Sequence, residues 1–166
     1  LKDPTYHNLG DHTESIQIDF DPTKLSFDQI LDRIWVSHNP CSTPWSRQYM
    51  SAIFFDGEAQ KKAVLASKAR MEEKLGKPVK TAILPLGKFY LAEDYHQKYE
   101  LRGTAELMKE FAAIYPDAKD FVNSTAAARV NSYIGGSGTK EQLKAEIDLL
   151  GLSAEGRKTL QKYVTR

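Results

Sequence analysis

Gln48-Tyr49-Met50-Ser51-Ala52-Ile53-Phe54-Phe55-Asp56-Gly57 is rich in aromatic and β-branched residues and closes on Asp-Gly, which predicts a strand ended by a turn. The next stretch, Glu58 to Leu75, is dominated by Ala, Lys, Glu and Gln, with Ala59, Ala63, Ala66, Ala69 and Leu75 near one stripe and Gly76 positioned to stop it. That composition predicts a surface helix. Val79 to Leu84 is short, apolar and followed by Pro85, the pattern of a strand near a sheet edge. Upstream, Ser15 to Phe20 sets Ile16, Ile18 and Phe20 against Gln17 and Asp19, the alternation of a half-buried strand, and Asp21-Pro22 turns it. Ser26 with Gln29 forms a capping pattern, and Phe27, Ile30, Leu31, Ile34 and Trp35 recur at helical spacing. This helix has to stop near His38-Asn39-Pro40, because proline lacks the next donor and restricts the residue before it. His38 to Arg47 then reads as a loop holding Cys41 and Trp45. Strand, helix, strand, helix, strand is the order of a layered α/β or α+β sheet.

Downstream of Arg102-Gly103 the pattern changes to helix upon helix. Thr104 to Tyr115 stops at Pro116, Asp117 to Ile134 stops at Gly135-Gly136, Thr139 with Gln142 caps a third helix, and Ser153 opens a last one towards Thr165. The expected division is residues 1–102 as the α/β part and 103–166 as a helical extension. The Gly-Gly-Ser-Gly run at 135–138 lacks the lysine and the preceding strand of a phosphate loop and reads as an interhelical turn.

With 166 residues, 41% hydrophobic and 27% charged, the chain is long enough to bury a core. Its 23 basic and 22 acidic residues are mixed along the sequence, so no charge block points to nucleic acid or an anionic membrane. No apolar run approaches the roughly 20 residues of a membrane helix. The single cysteine, Cys41, can form neither an internal disulfide nor a zinc framework, which fits a reducing compartment. The expected location is cytoplasmic, and the expected state is a monomer.

Two stretches gather proton-handling side chains. Pro4 to Glu14 brings Tyr6, His7, Asp11, His12 and Glu14 to the start of the alternating run, where polar groups must be paired, solvated or used. The same residues would serve equally well as a polar loop. Phe89 to Tyr99 is the second, with Glu93 and His96 on one side if it winds as a helix; Phe89, Tyr90 and Tyr95 could equally fill core while the charges face water.

Taken together, the first hundred positions resemble the peptide methionine sulfoxide reductase A family. The matching elements are Pro4-Thr5-Tyr6, Gly10-Asp11-His12-Thr13-Glu14, Asp21-Pro22, Trp35 with His38 and Pro40, Gln48-Tyr49 with Ser51-Ala52-Ile53, and Phe89-Tyr90 with Ala92 through Gln97. The helical remainder resembles the tail of some animal-type members. The fold this implies is α/β: an α+β two-layer sandwich, a ferredoxin-like mixed sheet with flanking helices, plus an all-helical C-terminal extension.

The resemblance implies reduction of the S epimer of methionine sulfoxide, free or in oxidised proteins, by attack of a cysteine thiolate on the sulfoxide sulfur. The oxygen becomes strongly basic as the sulfur is attacked and leaves as water, so it needs a proton and fixed hydrogen bonds. By the family pattern Glu14 is the acid, Tyr6 and Tyr49 hold the oxygen, and His96 and Gln97 support the substrate site. No bound cofactor or metal is implied, and thioredoxin or another thiol is the external reductant.

The sequence departs from the family in two places. The Gly-Cys-Phe-Trp segment that carries the nucleophile is not among these residues, and the chain opens at Leu1 without a methionine, so a longer protein is expected. The loop from His38 to Tyr49 lacks the acidic residue that members place before the tyrosine and holds Cys41, Trp45 and Arg47 instead. Cys41 could resolve a sulfenic acid by disulfide exchange or be an inert thiol. The alternatives to a reductase are an inactive relative that binds oxidised methionine in partner proteins and a scaffold that binds through its tail.

Overall fold

The computed structural model describes Thr5, Asn8, Gly10 and residues 12–164. The chain divides between Leu91 and Ala92 into two compact units, an α/β unit and a helical one.

In the α/β unit, Ser26 and Gln29 make a reciprocal cap: the Gln29 N–H donates to Ser26 Oγ at 3.2 Å and the Ser26 N–H to Gln29 Oε1 at 2.8 Å. This satisfies orphan donors at the start of helix α1 (Phe27–Val36), which buries Leu31 and Trp35. Strand β1 (Ala52–Phe55), helix α2 (Gly57–Leu75) and strand β2 (Ala82–Pro85) follow as a β-α-β unit, with the helix as the crossover that parallel strands require. Ala52 pairs with Ala82 and Phe55 with Pro85. Pro85 fits as the last strand residue, and the Leu86 N–H behind it donates to Phe55 O at 2.8 Å. The expected mixed sheet is represented among the described residues by this parallel pair. Leu31, Trp35, Ile53, Val64 and Val79 form the core.

Three local expectations are corrected here. Residues 15–20 are not a strand: Ile16 is 85% and Ile18 51% exposed, and among the described residues no backbone hydrogen bond leaves this segment. A strand is defined by its neighbour's ladder, and alternation alone does not supply one. The strand expected from Gln48 begins at Ala52, because Arg47 to Met50 form a turn in which the Met50 N–H donates to Arg47 O at 3.4 Å. The buried face of α2 is not the alanine stripe, since Ala59, Ala66 and Ala69 are exposed; Val64 and Ser67 face inward, with Ala63 and Met71 packed beside the core. Ser67 is tolerated there because the Trp35 Nε1–H donates to its Oγ at 2.6 Å.

The helical unit contains α3 (Tyr99–Arg102), α4 (Ala105–Ile114), α5 (Ala118–Asn123), α6 (Thr125–Ile134), α7 (Lys140–Glu146) and α8 (Ala154–Val164), with 3₁₀ turns at Asp94–His96 and Ile147–Leu149. Leu101, Leu107, Phe111, Val130, Leu150 and Leu160 lie at the centre of its core. The single helix expected over 117–134 is broken at Ser124. That residue ends α5 and, through Oγ accepting from the Ala127 N–H at 3.1 Å, caps α6. Gly138 shows why the 135–138 turn needs glycine: φ is +99°, and an added Cβ would stand 2.5 Å from Tyr133 Cε1.

Candidate active site

The centre of the α/β unit's polar cluster is a contact between two segments far apart in sequence. The Thr13 hydroxyl donates to Arg47 O at 3.1 Å, and the Glu14 N–H donates to Gln48 O at 3.0 Å. These bonds seat Glu14 beside the 47–50 turn. From that turn Gln48 Nε2 donates to Glu14 Oε1 at 2.7 Å and to the Tyr49 hydroxyl oxygen at 3.1 Å. The amide nitrogen faces both groups, and its two hydrogens match its two acceptors. Glu14 and Tyr49 thus share one hydrogen-bonded group.

An aromatic shelf adjoins the cluster. Trp45, 81% exposed, stacks on the Tyr49 ring at 4.9 Å between centroids and 25° between planes. His12 meets the Tyr90 ring edge-on at 5.2 Å and 87°, and Lys88 Nζ stands 4.4 Å from the centre of that ring.

The loop carrying Cys41 and Trp45 is anchored at its start. Pro40 O accepts from the N–H groups of Lys80 and Thr81 at 2.7 and 3.3 Å, and Lys80 Nζ donates to Thr43 Oγ1 at 2.7 Å. Cys41 is half-buried, with its backbone N–H on Asn39 Oδ1 at 3.1 Å. His38 ties helix α1 to the residue before β2: Nδ1 lies 2.8 Å from Ile34 O, and Nε2 lies 2.8 Å from Thr81 Oγ1. The Ile34 carbonyl can only accept, which puts the hydrogen on Nδ1 and leaves Nε2 of the neutral ring to accept from the threonine.

Of the residues singled out from sequence, Glu14 and Tyr49 are brought together through Gln48. Tyr6, like His7 and Asp11, lies outside the described residues. His96 belongs to the helical unit, where its N–H donates to Glu93 O at 2.9 Å and its ring stands 4.2 Å from that of Tyr95. The continuous helix considered for Glu93 to Tyr99 is replaced by the short turn at Asp94–His96. Glu93 sits before it at ψ 151°, and Lys98 after it has φ 55°, so no common helical face joins Glu93 and His96. Burial of Lys98 lowers its pKa from the ordinary lysine value. Gln97 Nε2 donates to Ala92 O at 3.1 Å, and Arg102 Nε donates to Gln97 O at 2.8 Å.

Sequence reasoning missed the bridging place of Gln48 and the stacked position of Trp45. The bridge spans 34 residues, beyond any local signal. Among the described residues no group of three or more His, Cys, Asp or Glu side chains is arranged to hold a metal ion, and no helix is long and apolar enough to cross a membrane.

Residues 1–129 match the family described as peptide methionine sulfoxide reductase. The chain belongs to that family. A peptide methionine sulfoxide reductase of Drosophila melanogaster is 40% identical over 163 residues, 97% of this chain and 65% of the relative. Peptide methionine sulfoxide reductase A5 of Oryza sativa subsp. japonica is 32% identical over 154 residues, 87% of this chain and 60% of the relative. Peptide methionine sulfoxide reductase MsrA of Methanosarcina acetivorans is 38% identical over 107 residues, 58% of this chain and 57% of the relative. The chain therefore spans 65%, 60% and 57% of the length of these three reductases. At 97% of this chain, the Drosophila match takes in most of the helical unit as well.

Proposed function

We propose that the protein is a peptide-methionine (S)-S-oxide reductase, returning free or protein-bound methionine sulfoxide to methionine. The observation that carries this reading is the Glu14–Gln48–Tyr49 group, an acid and a phenol tied together in a chain of the reductase family. Two thiols and one sulfoxide give methionine, a disulfide and water. A thiolate attacks the sulfoxide sulfur, and the sulfur–oxygen bond breaks as the oxygen takes up protons. The Glu14 carboxyl group is assigned the first proton transfer, which turns a poor leaving oxide into a hydroxyl group. Tyr49 and, by the family pattern, Tyr6 are assigned to hydrogen-bond the same oxygen, where negative charge grows during attack. The sulfur is reduced by two electrons, and the two thiol sulfurs are oxidised to the disulfide.

We assign His96 to the substrate site and Cys41 to resolution of the oxidised thiol. Thioredoxin or a comparable dithiol closes the cycle, with no bound cofactor. Residues 1–102 carry the chemistry and 103–166 form the extension, in a cytoplasmic monomer that acts on oxidised proteins.

The test is stereochemical. The complete gene product, supplied with dithiothreitol and each epimer of methionine sulfoxide separately, is expected to convert the S epimer to methionine and spare the R epimer. No conversion of the S epimer, or equal rates on both, overturns the proposal.

A further inference from the structure

We propose that Gln48 is a positioning residue that couples the acid to the phenol, so that the two groups reach the substrate oxygen as a pair. The inference rests on the reductase reading above and adds to it a residue with no chemistry of its own.

Two observations support the assignment. Gln48 is fixed at its backbone, because its carbonyl accepts from the Glu14 N–H at 3.0 Å and the neighbouring Arg47 carbonyl accepts from the Thr13 hydroxyl at 3.1 Å. Its side-chain nitrogen then contacts both functional groups, at 2.7 Å to Glu14 Oε1 and 3.1 Å to the Tyr49 oxygen. A single planar amide that gives one hydrogen to each acceptor fixes their separation, and any motion that parts Glu14 from Tyr49 breaks one of the two bonds.

The direction of these bonds also matters. Tyr49 receives a hydrogen from Gln48, so its own hydroxyl hydrogen points away from the amide. Glu14 is held by one carboxyl oxygen, Oε1, and the proton for the substrate is assigned to the other, Oε2. Gln48 thus orders two donors without touching the substrate.

The test uses the complete gene product and the S epimer of methionine sulfoxide. Gln48→Leu removes both donors and shortens the side chain by one heavy atom; it is expected to lower kcat by about tenfold while leaving KM within about twofold, since loosely held donors lose transition-state contacts before ground-state ones. Made in a Glu14→Gln background, Gln48→Leu is expected to lower kcat by less than about twofold, because residues that act through one another are non-additive. Gln48→Glu, close in size but with an acceptor where a donor stood, is expected to lose at least as much as Gln48→Leu, and it provides the comparison if the leucine variant fails to fold. A kcat within about twofold of wild type for both variants, or the same fold-loss in both backgrounds, overturns the coupling role. A wild-type protein that reduces no sulfoxide overturns the reductase reading and this inference together, whereas an active wild type with an unaffected Gln48→Leu variant overturns this inference alone.

Discussion

The α/β unit and the helical unit bury unequal sets of apolar side chains. Among the described residues the α/β core has five buried hydrophobic side chains and the helical core twelve, although the α/β unit is the longer of the two. The unit with the thinner core holds the polar cluster around Glu14 and exposes Ile16, Ile18 and Trp45. Among the described residues the buried apolar side chains are thus concentrated in the helical unit.

Both tryptophans, Trp35 and Trp45, lie in the α/β unit, so their fluorescence reports on that unit, whereas far-ultraviolet circular dichroism follows chiefly the helices. The largest effect is expected from Phe111→Ala, which empties the centre of the helical core. It should cost about 3–5 kcal/mol in denaturant unfolding, read more strongly by circular dichroism than by tryptophan fluorescence. A loss below about 1 kcal/mol would mean that the helical unit does not depend on this core as described. Next comes Tyr49→Phe, which keeps the ring under Trp45 and removes the hydroxyl. Turnover of the S epimer should fall by about a hundredfold, the scale for loss of one preorganised donor, with little change in folding stability. A large stability loss with normal turnover would move Tyr49 from the site to the scaffold.

Ser67→Ala probes the thinner core. It leaves the Trp35 indole N–H buried without its 2.6 Å acceptor and should cost about 1–3 kcal/mol, seen as a shift in the fluorescence transition. An unshifted transition would show that the indole finds another partner. The smallest effect is expected from Asp21→Asn. The hydroxyl and N–H of Thr23, at 2.6 and 2.9 Å from Asp21 Oδ1, hold the Asp21 carboxyl below the usual carboxylate range. A carboxyl whose folded-state pKa is lowered adds stability above its unfolded value of about 3.9 and loses it as pH falls through the folded value. The variant should therefore melt slightly below wild type at pH 7, and the two melting points should converge in acid below the folded value. A gap that persists there would indicate lost geometry rather than lost charge.

What could be read from sequence follows the range of the interaction involved. The caps at Ser26–Gln29 and Thr139–Gln142 were legible because each is completed within three residues, and the apolar spacing of α1 named both of its buried residues, Leu31 and Trp35. The β-α-β order was legible from composition and the Asp56-Gly57 and Gly76 stops. The segment 15–20 misled because alternation predicts a face and not the neighbour that would cover it. In α2 the many alanines carried little information, and the inward place of Ser67 depends on Trp35, 32 residues away. Ser124 broke a helix because serine caps well, a competing preference that periodicity does not register. At the site, Glu14 and Tyr49 came from the resemblance to the family, whereas Gln48, which joins them, required coordinates.

In the proposed reaction Glu14 delivers a proton to the oxygen that Tyr49 steadies. The direct measurement is kcat and KM of Glu14→Gln against wild type on the S epimer, in the complete protein with excess dithiol. The expected kcat is about a hundredfold lower at nearly unchanged KM, because glutamine keeps the shape and lacks the proton. A kcat within about threefold of wild type would rule out that role.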